Sequence, residues 1–567
     1  MTSTGPGSKT DALIVFVTGI GQSFSYLFDR AYLAPGAFSA GTLQDYENYA
    51  PLIEAGKELD SWNIFAFRAK EGLGTRTGRC ALVKTAAALF GTAVMRRNLL
   101  REKTARQLVG AFFSLNKLDA KGDADPRVVT PRYPGPFSSY PGAVDENGVL
   151  RSRAKARFYR SVPCEAIARK ALGETFEDYL YCFNYRPCSL TSRNVEELHA
   201  FIETALQNNR VGASEVVLVP MSMGASVVSA YLAKYPDPAE NRVKRVVSVV
   251  GCWQGSGVMT DLLDRAFTGS PKELLKKGLL AEAFGRKTEQ RLRPVLRLFS
   301  DKALSGLFDT LLGAIVKEII LPAPSLLALA PPETCERFLP LIPEGVREEA
   351  KSYIAAQKSV PSRLLSLKAA GVSFSFVCGY GLSYGAGSPT CAALGLLRHA
   401  KDVNSDELID ISSTAPGVAS VPAGQAFSGI DRLLSPDGSL DLSTAPFADN
   451  TWFFLRQKHE LEDNNTALAL ALSLALGQIE RVSDCADPGK KPFYPQFNGA
   501  RDLKSFYRTD LPRLNAFLSS GGTLTNAQQA LVDETLAMTE RTANDEEKDK
   551  ALLTRFSEMT RTLDAGV

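Results

Sequence analysis

Charge of one sign is the first thing this chain lacks: 65 lysines and arginines stand against 62 aspartates and glutamates, a net of +3 over 567 residues. Nucleic-acid binding needs a basic footprint, so that partner class is excluded, and a partner is found by shape and not by field. Cysteine is sparse and unpatterned. The nine (Cys80, Cys164, Cys182, Cys188, Cys252, Cys335, Cys378, Cys391 and Cys485) include no CxxC pair, which argues against a zinc site and a disulfide framework and for a reducing cytoplasm. No metal and no cofactor is expected. Long apolar runs are missing too. "LFDTLLGAIVKEII" at Leu307–Ile320 and "TALALALSLALG" at Thr466–Gly477 fall short of the roughly 20 residues that span a bilayer. "ALIVFV" at Ala12–Val17 is too short, and too soon followed by a turn, to be a signal peptide. The expectation is a soluble chain without a transmembrane segment. Histidine is scarce, with three in the whole chain (His199, His399, His459), so the search for a general base is short.

What is present is a series of apolar runs too short for helices: "ALIVFV", "YLYCFNY" at Tyr179–Tyr185, "EVVLVP" at Glu215–Pro220, "VKRVVSVV" at Val243–Val250, "VSFSFVCG" at Val372–Gly379 and "TWFFL" at Thr451–Leu455. Strands buried on both faces read this way. Between the second and third, Val195, Leu198, Phe201, Ile202 and Leu206 mark a helical stripe. This alternation predicts an α/β chain with a mostly parallel sheet covered by helices on both faces. Two gaps, about 28–175 and 260–370, are too long for loops and predict helical insertions that sit over the strand ends as a lid. The expected layout is a catalytic unit over 1–485 and a helical C-terminal region over 486–567.

"VVLVPMSMGASVVSAYL" at Val216–Leu232 puts Ser222 where an apolar strand stops and a helix begins. In a nucleophile elbow, G-x-S-x-G, small residues on either side permit the turn that lifts the serine clear of the sheet. Here Gly224 keeps the second small residue and Pro220 replaces the first. A serine needs a base, a carboxylate that orients the base, and donors for the developing oxyanion. His459, just past the last strand run, is the expected base; His199 lies on a helix and His399 in a charged, solvated segment. Asp437, in an Asp-Gly turn, is the expected acid, although such an aspartate is equally the mark of a plain turn; Asp441 is the reserve. The backbone N–H of Met223 and that of Ile20 or Gly21, in "VFVTGIGQS", are the expected oxyanion donors. Gly21, Gln22 and Trp253 are candidates for the pocket wall. As a nucleotide loop the stretch Thr18–Gln22 has no lysine and no full G-x-G-x-x-G.

"VFVTGIGQS" resembles the opening strand and oxyanion turn of α/β hydrolases. "YLYCFNYRPCSLTSRNVEELHAFIETAL" resembles the segment before the nucleophile in lipases and acyltransferases of the lecithin:cholesterol acyltransferase type, and "CWQGS" at Cys252–Ser256 is similar to their turn after the next strand. "SPDGSLDLSTAPFADNTWFFLRQKH" resembles the Asp-to-His segment of bacterial esterase-like members, with Asp437 and His459 in the matching places. The chain departs from that pattern at Phe183-Asn184-Tyr185-Arg186, where Tyr-Asp-Trp-Arg is common, and at Pro220. The resemblance implies an α/β-hydrolase fold and a serine esterase or lipase acting on lipid or fatty acyl esters, with transient contact to a lipid surface through the lid. Acyl transfer to an alcohol would use the same triad. A scaffold without activity, binding through its helical tail, is the alternative from a different class.

Overall fold

The computed structural model describes residues 11–27, 57–60, 75–119, 122–123, 125–140, 143–144, 150–268, 298–386, 392–427, 433–460, 464–486, 494–498, 510–539 and 546–564. Seven strands form its main sheet: β1 (Ala12–Val17), β2 (Leu180–Phe183), β3 (Glu215–Pro220), β4 (Val243–Val249), β5 (Ser373–Tyr380), β6 (Thr451–Leu455) and β7 (Phe497–Asn498). Their spatial order is β7-β6-β5-β4-β3-β1-β2, and every neighbouring pair is parallel. The six apolar runs of the sequence supply β1 to β6. The seventh strand is two residues paired with Phe453 and Phe454, too short to show any period. It lies beyond residue 485, so the sheet continues into the region set apart on sequence grounds.

The helices used below are α1 (Arg76–Met95), α2 (Glu102–Phe112), α3 (Thr191–Asn208), α4 (Gly224–Lys234), α5 (Gly257–Asp264), α6 (Asp301–Ile315), α7 (Glu344–Lys358), α8 (Asn465–Ala475), α9 (Leu511–Ser519), α10 (Asn526–Thr539) and α11 (Glu546–Asp564). Side chains alternate across the sheet, so each strand feeds two cores. Leu13, Val15, Val17 and Leu218 pack with Leu198 and Ile202 of α3 and with Val227 and Tyr231 of α4. Ile14, Phe16, Val217 and Val219 face the other way, onto Leu468 and Leu472 of α8 and Phe158. Each such Val, Leu or Phe, fully buried, contributes about 1.5–3 kcal/mol, which is why these runs carry no polar face.

The chain leaves β1 outward to β2 and returns to β3 on β1's other side. The carboxyl ends of β1 and β3 therefore flank a crevice at the point where strand order reverses, the place where α/β sheets hold ligands.

Of the two long insertions expected to form a lid over the strand ends, 28–56, 61–74 and 269–297 lie outside the described residues, while the larger part of both is described. The described parts pack onto the sheet layer: Ala105 and Val109 of α2 and Leu304 and Leu307 of α6 share a core with β1 and β3. Near the C-terminus, α9, α10 and α11 pack on one another around Leu514, Leu531, Val532, Leu553 and Phe556. Among the described residues one helix, α1, is long and apolar enough by length and composition to cross a membrane, with mean hydropathy 1.2. Lys84 interrupts its apolar run. Its inner side, Ala81, Thr85 and Thr92, is buried, and it packs against α2.

Candidate active site

The elbow at the end of β3 is built by close approach. Ser222 has φ 51°, the left-handed region that a residue with a Cβ seldom adopts, at a cost of about 1–3 kcal/mol. Backbone bonds hold it there: Met221 N–H to the carbonyl of Val17 at 3.0 Å, Ser222 N–H to that of Val249 at 3.2 Å, and Cys252 N–H to the carbonyl of Ser222 at 2.9 Å. The flanking methionines fix the crest from both sides, Met221 in one core and Met223 in the other. A Cβ on Gly224 would stand 2.2 Å from the carbonyl oxygen of Val17. Glycine is required at that position because β1 passes beneath it.

His459, in the loop after β6, faces the serine. Its Nε2 lies 2.8 Å from Ser222 Oγ and its Nδ1 lies 2.7 Å from Asp406 Oδ2. A carboxylate only accepts, so Nδ1 carries the proton and Nε2 is left to accept the Ser222 hydroxyl. Asp406 has no exposed surface. Its other oxygen accepts from the N–H groups of Leu408 at 3.1 Å and Ile409 at 2.8 Å, in a tight turn where Glu407 has φ 80°. Burial disfavours the imidazolium of His459. The charge of Asp406 and its hydrogen bond outweigh that, with smaller help from Glu407 and Glu460, and hold the imidazole above its ordinary value of 6.5.

The carboxylate thus comes from Asp406, and the expectation of Asp437 or Asp441 is corrected. Asp437 closes its own turn, accepting from Ser435 Oγ at 2.6 Å, Ser439 N–H at 3.2 Å and Ser439 Oγ at 2.9 Å. Asp441 accepts from the N–H and hydroxyl of Ser443. Both are satisfied within two residues and neither touches His459. Asp406 was hidden in "DVNSDELID", whose four acids among nine residues read as a solvated face. No local signal distinguishes it, since what buries it lies elsewhere in the chain. Ser256 Oγ donates to the carbonyl of Leu408 at 2.7 Å. Asp410 accepts from the Tyr384 hydroxyl at 2.5 Å and from Gly257 N–H at 2.8 Å. These bonds fasten the Asp406 turn to the start of α5.

The other two histidines are accounted for differently. His199 stacks on Tyr235, with ring centroids 4.2 Å apart. His399 is half exposed, but its Nδ1 meets the buried Asp261 at 2.7 Å, so it is tied to α5 and not simply solvated. Trp253 is no pocket wall: it is wholly buried, with its indole N–H donating to Ser248 Oγ at 2.9 Å.

The Gly-rich turn after β1 lies against the serine. A Cβ on Gly19 would stand 2.8 Å from the Cβ of Ser222. The side-chain oxygen of Gln22 folds back to accept from Gly19 N–H at 2.9 Å, so Gln22 shapes this turn. Gly21 and Gln22 are both half-buried. Among the described residues no protein acceptor is paired with the N–H of Ile20, Gly21 or Met223. Two stretches of backbone carrying such donors therefore flank Ser222, one from the end of β1 and one from the start of α4. Among the described residues no group of three or more His, Cys, Asp or Glu side chains could hold a metal ion.

No protein-family model matches the chain, and no curated protein matches it in sequence.

Proposed function

We propose that the protein is a serine hydrolase of the α/β-hydrolase type that cleaves carboxylic esters, lipid or fatty acyl esters in the first instance. The observation that carries this reading is the continuous relay Ser222 Oγ, His459 Nε2, His459 Nδ1, Asp406, with both contacts under 3 Å. The chain order of nucleophile, acid and base, on the carboxyl side of β3, β5 and β6, supports the same reading.

In the reaction Ser222 Oγ attacks the ester carbonyl carbon while Nε2 of His459 takes its proton. The carbonyl π pair moves to oxygen, and the N–H groups of Met223 and Ile20 receive that charge. Collapse of the tetrahedral intermediate breaks the bond to the alcohol, which leaves with the proton from His459. Water then attacks the acyl-serine, giving its proton to His459, and the acid is released as Ser222 is reprotonated. Asp406 holds the ring orientation and stabilises the imidazolium throughout.

The test is turnover of p-nitrophenyl esters of increasing acyl length, with labelling by a fluorophosphonate, for wild type and Ser222→Ala. Turnover and labelling that both vanish with Ser222 are expected. An unlabelled wild type without turnover would sink the reading and leave a scaffold without activity.

A further inference from the structure

Helix α1 carries a second surface, remote in sequence from the Ser222 relay. Its outer face is apolar along its length: Val83 is 69% exposed, Phe90 75% and Val94 65%, and Leu82 and Met95 are exposed beside them. Val83, Phe90 and Val94 follow one another at seven and four residues, so at 3.6 residues per turn they form a single stripe. Ala86 and Ala87 fill the turn between Val83 and Phe90. The opposite side, Ala81, Thr85 and Thr92, is buried. Monomeric proteins seldom leave so many large apolar side chains contiguous and uncovered.

The charge around the stripe has one sign. Arg76 and Arg79 precede it, Arg96 and Arg97 follow it, Lys84 stands at its edge, and no acidic residue occurs from Arg76 to Arg101. At the amino end of α1, beside Thr75 and Thr77, a cleft of about 860 Å³ is lined by Lys103, Arg106, Lys117 and Arg127 against Glu102 and Glu318, again with cations in excess. A second copy docked stripe to stripe would set arginines against arginines. A surface that is apolar inside and anionic at its rim complements both features.

We infer that α1 is an interfacial helix that docks the protein on anionic lipid bilayers, with Val83, Phe90 and Val94 entering the acyl boundary and the flanking arginines on lipid phosphates. The helix lies in the interface and does not span it, because its inner side is fastened to α2 and Lys84 sits in its middle. The inference stands apart from the ester-hydrolysis reading, since docking would hold equally for an inactive chain.

The experiment is flotation of the full-length protein with phosphatidylcholine vesicles and with vesicles containing about 30% phosphatidylglycerol, at low salt and at about 0.5 M salt, where screening is nearly complete. Wild type is expected to partition at least about tenfold better onto the anionic vesicles and to lose that preference in high salt. Val83→Ser/Phe90→Ser changes only exposed side chains, so the melting temperature should hold while partitioning falls about tenfold or more. Arg76→Glu/Arg97→Glu should abolish the anionic preference and leave weak, salt-insensitive binding. Absence of wild-type binding, or binding unchanged by both variants, would overturn the inference. So would a lipid-free dimer that dissociates with Val83→Ser/Phe90→Ser in sedimentation velocity, which would assign the stripe to a second copy.

Discussion

Asp406 and His459, 53 residues apart in the chain, meet at 2.7 Å between loops that leave the adjacent parallel strands β5 and β6. Parallel pairing brings both loops out at the same edge of the sheet, and Gly379 of β5 makes room for the contact. A Cβ there would stand 2.9 Å from the Cβ of Asp406 and 2.6 Å from the carbonyl oxygen of Gln457. The acid and the base are therefore positioned by one shared piece of backbone.

Replacing the acid separates the two candidate aspartates. Asp406→Asn is expected to lower kcat on a p-nitrophenyl ester on the order of 10⁴-fold, because the imidazole loses its orienting acceptor. Asp437→Asn loosens only its own turn, so kcat should stay within about twofold while stability falls by about 1 kcal/mol. Steady-state kinetics and thermal melts of the two variants decide between them.

The pH profile follows from the raised His459. Only the neutral ring can take the Ser222 proton, so kcat/KM should rise with pH through a midpoint above 6.5 and then level off. Asp406→Asn removes the charge and leaves the burial, so the midpoint of its residual activity should move down. Stability runs the opposite way. A raised folded-state value means that the protonated ring favours folding, a contribution present below the unfolded value of about 6.5 and lost as pH rises through the folded one. Melting temperatures of wild type and His459→Gln across this range check the sign.

Two glycines should fail in different ways. Gly224→Ala drives a methyl into the Val17 carbonyl, and backbone on both sides cannot yield cheaply, so a loss of about 1–3 kcal/mol in stability is expected together with lost activity. Gly19→Ala meets the Ser222 side chain instead. Its turn can shift, so the fold should survive while kcat drops by about 10²-fold as Ile20 is displaced. Urea melts beside ester turnover distinguish the outcomes.

Tyr384→Phe tests the fastening of the acid turn. The Asp410 carboxyl, pushed up by burial and partly brought back by the Tyr384 hydroxyl, would lose its closest donor at a cost of about 1–3 kcal/mol. Since Asp410 does not touch His459, kcat should fall less than in Asp406→Asn, with KM unchanged.

How much of this was legible in the sequence depended on where each residue's constraint lies. Strands β1 to β6 were readable because burial on both faces leaves runs such as "EVVLVP" with no polar face. Ser222 was readable because the strand, the turn and the helix around it are adjacent in sequence. His459 was readable because so few histidines competed for the chain position after the last long strand. Asp406 was not, because the groups that meet it, His459 at Oδ2 and the backbone of Gly379 against its Cβ, lie far from it in sequence. Asp437 drew attention for a real local reason, and that local reason proves to be its whole role in the structure. Trp253 reads as a pocket wall in the sequence because nothing in its own turn marks the contact its ring makes edge-on with Phe376 of β5.

Pro220 and Gly224, two residues either side of Ser222, carry unequal steric demands. Gly224 faces backbone that cannot move, whereas Pro220 closes β3 opposite Val17 with its side chain buried and accepted. The twofold glycine rule for such elbows reduces in this chain to a single crossing distance, between the residue after the serine's neighbour and the first strand of the sheet. The letters G-x-S-x-G do not describe this turn, whereas the 2.2 Å between a Gly224 Cβ and the Val17 carbonyl oxygen does. Related chains are therefore to be sought by the gap between the nucleophile turn and the strand beneath it, with the preceding position left free to vary.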